Sequence, residues 1–136
     1  YLVDLPGFGY ARVAEKQRRQ WADLMQSYFD RREPLALGVH LVDIRHEPTD
    51  LDRRLAELLV RSGVPTVVAL TKADKVPRGY AAQMANQAPR VLNLRPEAKV
   101  VITSAQTGAG MRQLFQLVVS ALAGGESDAG AGEERP

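Results

Sequence analysis

Three short runs of nearly unbroken apolar residues, 35–43 (LALGVHLVD), 66–71 (TVVALT) and 99–104 (KVVITS), constrain this chain more than any other feature. They are rich in Val, Leu and Ile and are bounded by proline or charged residues. Runs without polar alternation suit strands covered on both faces, the condition of a parallel sheet. Between them the apolar spacing becomes helical: Trp21, Leu24, Met25, Tyr28 and Phe29 within 14–32, then Leu51, Leu55, Leu58 and Leu59. The first of these stripes reads as core packing. Thr49 with Asp52 three positions on predicts a capping box for the second helix, which Gly63 and Pro65 close. A third helix is predicted between Gly79 and Leu92, with Pro89 kinking or ending it because its ring removes a backbone donor and crowds the preceding turn. The last runs from Met111 through Leu114, Phe115 and Val118 to Leu122 and stops at Gly124 and Gly125. Strands alternating with helices of this length predict right-handed βαβ crossovers and a three-layer, mostly parallel α/β fold.

A chain of 136 residues supports one core, with residues 1–123 as a single domain and 124–136 as a disordered acidic tail of almost no apolar content. Cysteine is absent, which excludes disulfides, zinc–thiolate sites and thiol nucleophiles and fits a reducing cytosol. No apolar run approaches the ~20 residues of a spanning helix, and the chain shows no signal-peptide pattern, so the expected location is cytoplasmic with no membrane association. The net charge of +2 hides an asymmetry, because Glu126, Asp128, Glu133 and Glu134 outnumber Arg135 in the tail and leave the body more basic. Arg12, Arg18, Arg19, Arg31 and Arg32 lie on or beside the first helix. Such a cluster suits phosphate contacts with a nucleic acid and equally suits a solvated face. His40 reads as a satisfied core histidine, and His46 has no second metal ligand at useful spacing.

In open parallel sheets ligands sit beyond the carboxyl ends of the strands, so the residues just after each apolar run carry the functional information. Asp4-Leu5-Pro6-Gly7 follows Tyr1-Leu2-Val3; there a carboxylate can hold a magnesium-bound water and a glycine can bring its N–H close to a phosphate, although alone the segment reads as a turn. Thr71-Lys72-Ala73-Asp74 follows the second run. The Asp74 carboxylate matches the two adjacent donors of guanine, N1–H and the 2-amino group, which adenine lacks. The Lys72 stem can cover the purine face while its ammonium fixes the loop. Thr103-Ser104-Ala105 ends the third run, where the Ala105 N–H can donate to guanine O6 and Ser104 can brace the loop.

The ordered set DLPG, TKAD and TSA resembles the G3, G4 and G5 motifs of P-loop GTPases. Asp4-Leu5-Pro6-Gly7-Phe8-Gly9-Tyr10-Ala11, with residues 42–52 (VDIRHEPTDLD), is similar in particular to the EngB (YihA/YsxC) ribosome-biogenesis GTPases, over residues 1 to about 122. The resemblance implies a Ras-like G domain of the P-loop NTPase fold, incomplete at its N-terminus, with GTP or GDP and Mg2+ as cofactors. By it Asp4 and Gly7 face the magnesium, Asp4 through water, and the γ-phosphate; Thr71, Lys72 and Asp74 read guanine; Thr103 to Ala105 close over the base. It further implies a cytoplasmic monomer that assists assembly of the large ribosomal subunit, contacts ribosomal RNA and is linked to cell division and septation.

Phe8 stands where many GTPases carry a water-orienting glutamine, which implies slow hydrolysis. No G-x-x-x-x-G-K-[ST] occurs, so this chain by itself is expected to be inactive. The first strand of such a fold lies between the third and fourth. Its loss is expected to leave Leu2 to Asp4 either packed poorly against residues 37–43 or paired with them directly. The rival readings are a non-catalytic RNA-binding module and another Era-like GTPase.

Overall fold

The apolar runs form the sheet that their pattern predicts. In the computed structural model, which describes residues 2–5, 15–31 and 35–128, strands β1 (Gly38–Asp43), β2 (Thr66–Thr71) and β3 (Lys99–Ile102) pair in parallel in the order β1-β2-β3. Asp43 stands opposite Thr71 and Leu70 opposite Ile102, so the three strands end abreast. The outer runs are trimmed relative to the expectation: residues 35–37 precede β1, and Thr103 and Ser104 follow β3.

Helices follow the strands, the first two as crossover connections. After β1 comes α1 (Asp50–Arg61), after β2 a single 3-10 turn (Ala73–Lys75) and α2 (Arg78–Val91), and after β3 the helix α3 (Met111–Asp128). β2 is central and Val67 to Leu70 are buried on both faces, which is why its sequence shows no alternation. One face joins Val42, Val68 and Leu70 to Ala56 of α1 and to Ala81, Met84 and Ala88 of α2, with Ile44 and Leu92 at the margins. Each fully buried Val, Leu or Ile here contributes about 1.5–3 kcal/mol. Val67, Ala69 and Val101 alternate with that face and are buried as well, and α3 holds Leu114, Leu117, Val118 and Ala121 half-buried. Leu41 of β1 remains 63% exposed, and Met111, Phe115, Val119 and Leu122 form a second, exposed apolar stripe on α3.

The α1 start is the expected capping box. The Thr49 hydroxyl accepts from the Asp52 N–H at 3.2 Å, and the Asp52 carboxylate accepts from the Thr49 N–H at 2.7 Å. Two helix ends differ from expectation. Helix α2 runs two residues past Pro89, whose exposed ring forfeits only one donor; the helix closes instead at Asn93 (φ 50°), with Leu92 N–H donating to the Ala88 carbonyl and Leu94 N–H to that of Pro89. Helix α3 passes through Gly124 and Gly125 to Asp128. Glycine there weakens the helix by about 0.5–1 kcal/mol per site without preventing its hydrogen bonds. The remainder of the expected tail, 129–136, lies outside the described residues.

His40 is buried as expected but not satisfied. Neither ring nitrogen has a hydrogen-bond partner among the described residues, and Nε2 stands 3.6 Å from an Asp52 carboxylate oxygen, too long for a hydrogen bond.

Residues 1–33 form a separate compact unit. Its helix, Glu15–Arg31, buries Met25, half-buries Trp21, Tyr28 and Phe29, and leaves Leu24 exposed, so the expected stripe is only partly core. The rings of Tyr28 and Phe29 meet edge to face at 5.7 Å. Residues 2–5 form no strand, and Leu2 is almost wholly exposed. Arg19 and Arg31 are exposed, while Arg12 and Arg32 lie outside the described residues.

Candidate functional site

Because the strands end abreast, residues far apart in sequence emerge side by side at one edge of the sheet. The Thr71 hydroxyl donates to the Val42 carbonyl at 3.2 Å, tying the ends of β2 and β1 together rather than projecting free. Lys72 adopts a left-handed backbone (φ 63°, ψ 33°), and the chain then enters the 3-10 turn that carries Asp74. The Lys72 ammonium does fix the loop: it donates to Asp43 Oδ2 at 2.8 Å.

The ends of β2 and β3 and the loops after them are joined by four hydrogen bonds, one of them from the Thr103 hydroxyl to the Leu70 carbonyl at 3.2 Å. Ala73 N–H donates to the Thr103 carbonyl at 3.0 Å, and Thr103 N–H donates to the Leu70 carbonyl at 2.7 Å. The buried Ser104 hydroxyl donates to Asp74 Oδ1 at 2.6 Å and accepts from the Thr107 N–H at 3.2 Å. Ser104 thus braces the loop as its position implied. Its hydrogen bond also holds the Asp74 carboxyl below the usual carboxylate range, a little burial opposing and Lys75 at 3.4 Å assisting. The Asp74 side chain retains 13% of its surface, so the carboxylate is oriented from behind and open in front. Ala105 is exposed, and among the described residues nothing accepts its N–H. A fixed carboxylate and an open N–H beside it are the acceptor and donor that guanine's N1–H, 2-amino group and O6 require.

The loop from Thr107 to Gly110 completes the frame. Ser104 N–H donates to the Ala109 carbonyl at 3.0 Å and Gly108 N–H to the Ser104 carbonyl at 2.9 Å. Gly110 needs its glycine, since φ is +70° and a Cβ would overlap the Ile102 carbonyl oxygen.

Sequence reasoning missed Asp43 and Arg45. Asp43 Oδ1 accepts from the Arg45 backbone N–H at 3.1 Å and from Nε at 3.0 Å, and Oδ2 accepts from Nη2 at 2.7 Å. The Arg45 guanidinium, with Lys72 assisting and burial opposing, holds the Asp43 carboxyl far below its ordinary value. The signal was available, because Asp43 ends an apolar run just as Thr71 does.

The first motif belongs to the N-terminal unit. Asp4 and Leu5 lie in irregular backbone of the separate N-terminal unit, Asp4 exposed and Leu5 half-buried, whereas Pro6, Gly7 and Phe8 lie outside the described residues. Among the described residues no three His, Cys, Asp or Glu side chains cluster to hold a metal, and no helix is long and apolar enough to cross a membrane. A cleft of about 250 Å³ opens at the other end of the strands, beside Thr66 and Lys99, and none of the strand-end residues Asp43, Thr71, Lys72, Asp74, Thr103 and Ser104 lines it.

Comparison with known proteins agrees with this geometry. The family described as the elongation factor Tu GTP binding domain matches residues 33–123. A "Probable GTP-binding protein EngB" of Geobacillus sp. (strain WCH70) is 41% identical over 115 residues, covering 85% of this chain and 60% of its own length. The protein of the same name from Geobacillus kaustophilus (strain HTA426) is 39% identical over 123 residues, covering 90% and 63%. This chain therefore spans about three fifths of the length of these relatives. A crystal structure of a probable GTP-binding protein engB superposes with a TM-score of 0.73 over 87% of this chain and 74% of its own, at 19% identity, which speaks to the fold. The strand-end loops, the parallel sheet and these matches lead to one assignment: the chain belongs to the family of elongation factor Tu-type GTP-binding domains and is an EngB-like member of it.

Proposed function

We propose that this chain carries the base-reading half of a guanine-nucleotide site in an EngB-type GTPase. The observation that carries the reading is the 2.6 Å hydrogen bond from Ser104 to Asp74, which joins the loops of two neighbouring strands and leaves the rest of the carboxylate for guanine. In this reading Asp74 accepts from N1–H and the 2-amino group, the Ala105 N–H donates to O6, and the Lys72 stem lies over the purine plane. Thr71 and Thr103 hold the loops through the Val42 and Leu70 carbonyls. Phosphate binding is assigned elsewhere, since the 136 residues contain no P-loop motif. Magnesium would be held by nucleotide phosphates and water, with Asp4 reaching it through a water molecule, and it would neutralise charge on the phosphates. The parent protein then hydrolyses GTP slowly in the cytoplasm. It acts as a monomer on the large ribosomal subunit, contacting ribosomal RNA, with consequences for division and septation.

The test is nucleotide preference in the protein encoded by the complete gene. Asp74→Asn is expected to exchange preference for GDP over xanthosine diphosphate for the reverse, because the amide matches xanthine's altered edge. Unchanged preference would remove Asp74 from the base-reading role. The 136-residue chain alone is expected to show no binding of fluorescent GTP at micromolar concentrations, and binding there would overturn the assignment of phosphate contacts elsewhere.

A further inference from the structure

We infer that Asp43, clasped by Arg45, is a positioning residue for base recognition, acting by holding the Lys72 side chain in place before a nucleotide arrives. The inference rests on the base-reading role proposed above and adds to it a residue from a third strand. Asp43 ends β1 directly across from Thr71, so its carboxylate lies beside the backbone from which Lys72 departs. Both carboxylate oxygens are engaged by Arg45, from its backbone N–H, Nε and Nη2, which leaves Asp43 little freedom to rotate. Oδ2 takes the Lys72 ammonium at 2.8 Å as well. Lys72 is pinned from the backbone side too, since its left-handed conformation is held by Lys75 N–H on the Lys72 carbonyl at 2.9 Å and by the neighbouring Ala73 N–H on Thr103.

An ion pair this exposed, 48% for Lys72 and 29% for Asp43, adds little to folding stability, so its consequence is geometric. A lysine stem has four rotors, and a ligand that must order them binds more weakly than one meeting a stem already ordered. The clasp removes that ordering step. It leaves Asp74, which selects the base, untouched. Affinity and selectivity therefore have separate sources, Asp43 contributing to the first and Asp74 to the second.

The experiment is stopped-flow binding of fluorescent GDP to the protein encoded by the complete gene, with Asp43→Ala, Lys72→Ala and the double variant, and with the near-isosteric Asp43→Asn in case Asp43→Ala does not fold. Asp43→Ala is expected to weaken GDP binding about tenfold, the upper end of what ordering one rotamer-rich side chain costs, mainly through faster dissociation. The double variant is expected to bind no more weakly than Lys72→Ala, because Asp43 acts only through that lysine. The ratio of GDP to xanthosine diphosphate affinity should stay at the wild-type value, and nucleotide-free melting should change little. Affinity within about twofold of wild type for both Asp43 variants, or effects that multiply in the double variant, would overturn the inference. If instead Asp74→Asn fails to switch base preference, the base-reading proposal itself falls.

Discussion

Gly110→Ala is the substitution whose cost the structure fixes most closely. Gly110 sits at φ +70°, and a Cβ built there overlaps the Ile102 carbonyl oxygen while reaching 3.0 Å from the Ile102 carbonyl carbon and 3.3 Å from Thr103 Cγ2. The left-handed backbone alone costs a residue with a Cβ about 1–2 kcal/mol. The overlap is with backbone, which no side-chain rotation relieves, and forcing packed groups apart adds about 1–3 kcal/mol. The expected total is about 2–5 kcal/mol, a large share of a typical domain stability of about 5–15 kcal/mol. Two neighbours separate the terms. Gly108→Ala meets the same backbone penalty (φ +77°) with nothing within 4 Å of its Cβ, and Gly79→Ala meets neither penalty within α2. Circular-dichroism melts should therefore fall by at least about 10 °C for Gly110→Ala and by about 5–10 °C for Gly108→Ala. For Gly79→Ala they should rise by a few degrees, because alanine is the better helix former. The reasoning is refuted if Gly110→Ala melts no lower than Gly108→Ala. Ile102 and Thr103 lead directly to Ser104, so the same displacement should loosen the Ser104–Asp74 bond.

Three further outcomes are expected. Thr49→Ala removes the capping box of α1 and should cost about 1 kcal/mol, read as a lower urea midpoint at unchanged slope. His40→Val replaces a buried ring with two unpartnered nitrogens by an apolar side chain and should stabilise by about 1 kcal/mol; a loss of that size would mean the approach to Asp52 is a favourable pairing. The Asp74 carboxyl, followed by carbon NMR, should titrate below its ordinary 3.8, and Ser104→Ala should raise its midpoint. A depressed folded value means that the stability from this bond is present above 3.8 and is lost as pH falls through the folded midpoint, so Ser104→Ala should lessen the stability gained as pH rises through that window.

How much was legible in the sequence depended on whether the deciding forces were local. The run TVVALT gave β2 to the residue because a strand buried on both faces tolerates no polar side chain, and Thr49 with Asp52 gave the start of α1 because both partners of the cap lie within one turn. Pro89 did not end its helix because a proline close to a helix end forfeits one bond that the last turn can spare, and Gly124 misled because glycine lowers helix stability without forbidding it. That Lys72 fixes its loop and Ser104 braces one was legible from their place after a strand. Their partners were not equally so: Asp74 was already suspected, whereas Asp43 meets Lys72 only through the parallel register, 29 positions away. His40 failed for the same reason, since only the assembled core shows that the nearest acceptor, Asp52, stays beyond hydrogen-bond distance.

The level ends of the three strands also bear on how such a site can change over generations. Leu70, one residue back from the edge, is fully buried, and a substitution there disturbs the whole core; Lys72 and Asp74, just beyond the edge, lie outside that core and are held by hydrogen bonds. In the base-reading proposal, selection for folding and selection for base choice therefore act on adjacent but different positions. On that proposal a lineage can alter the purine it prefers while its sheet is inherited unchanged.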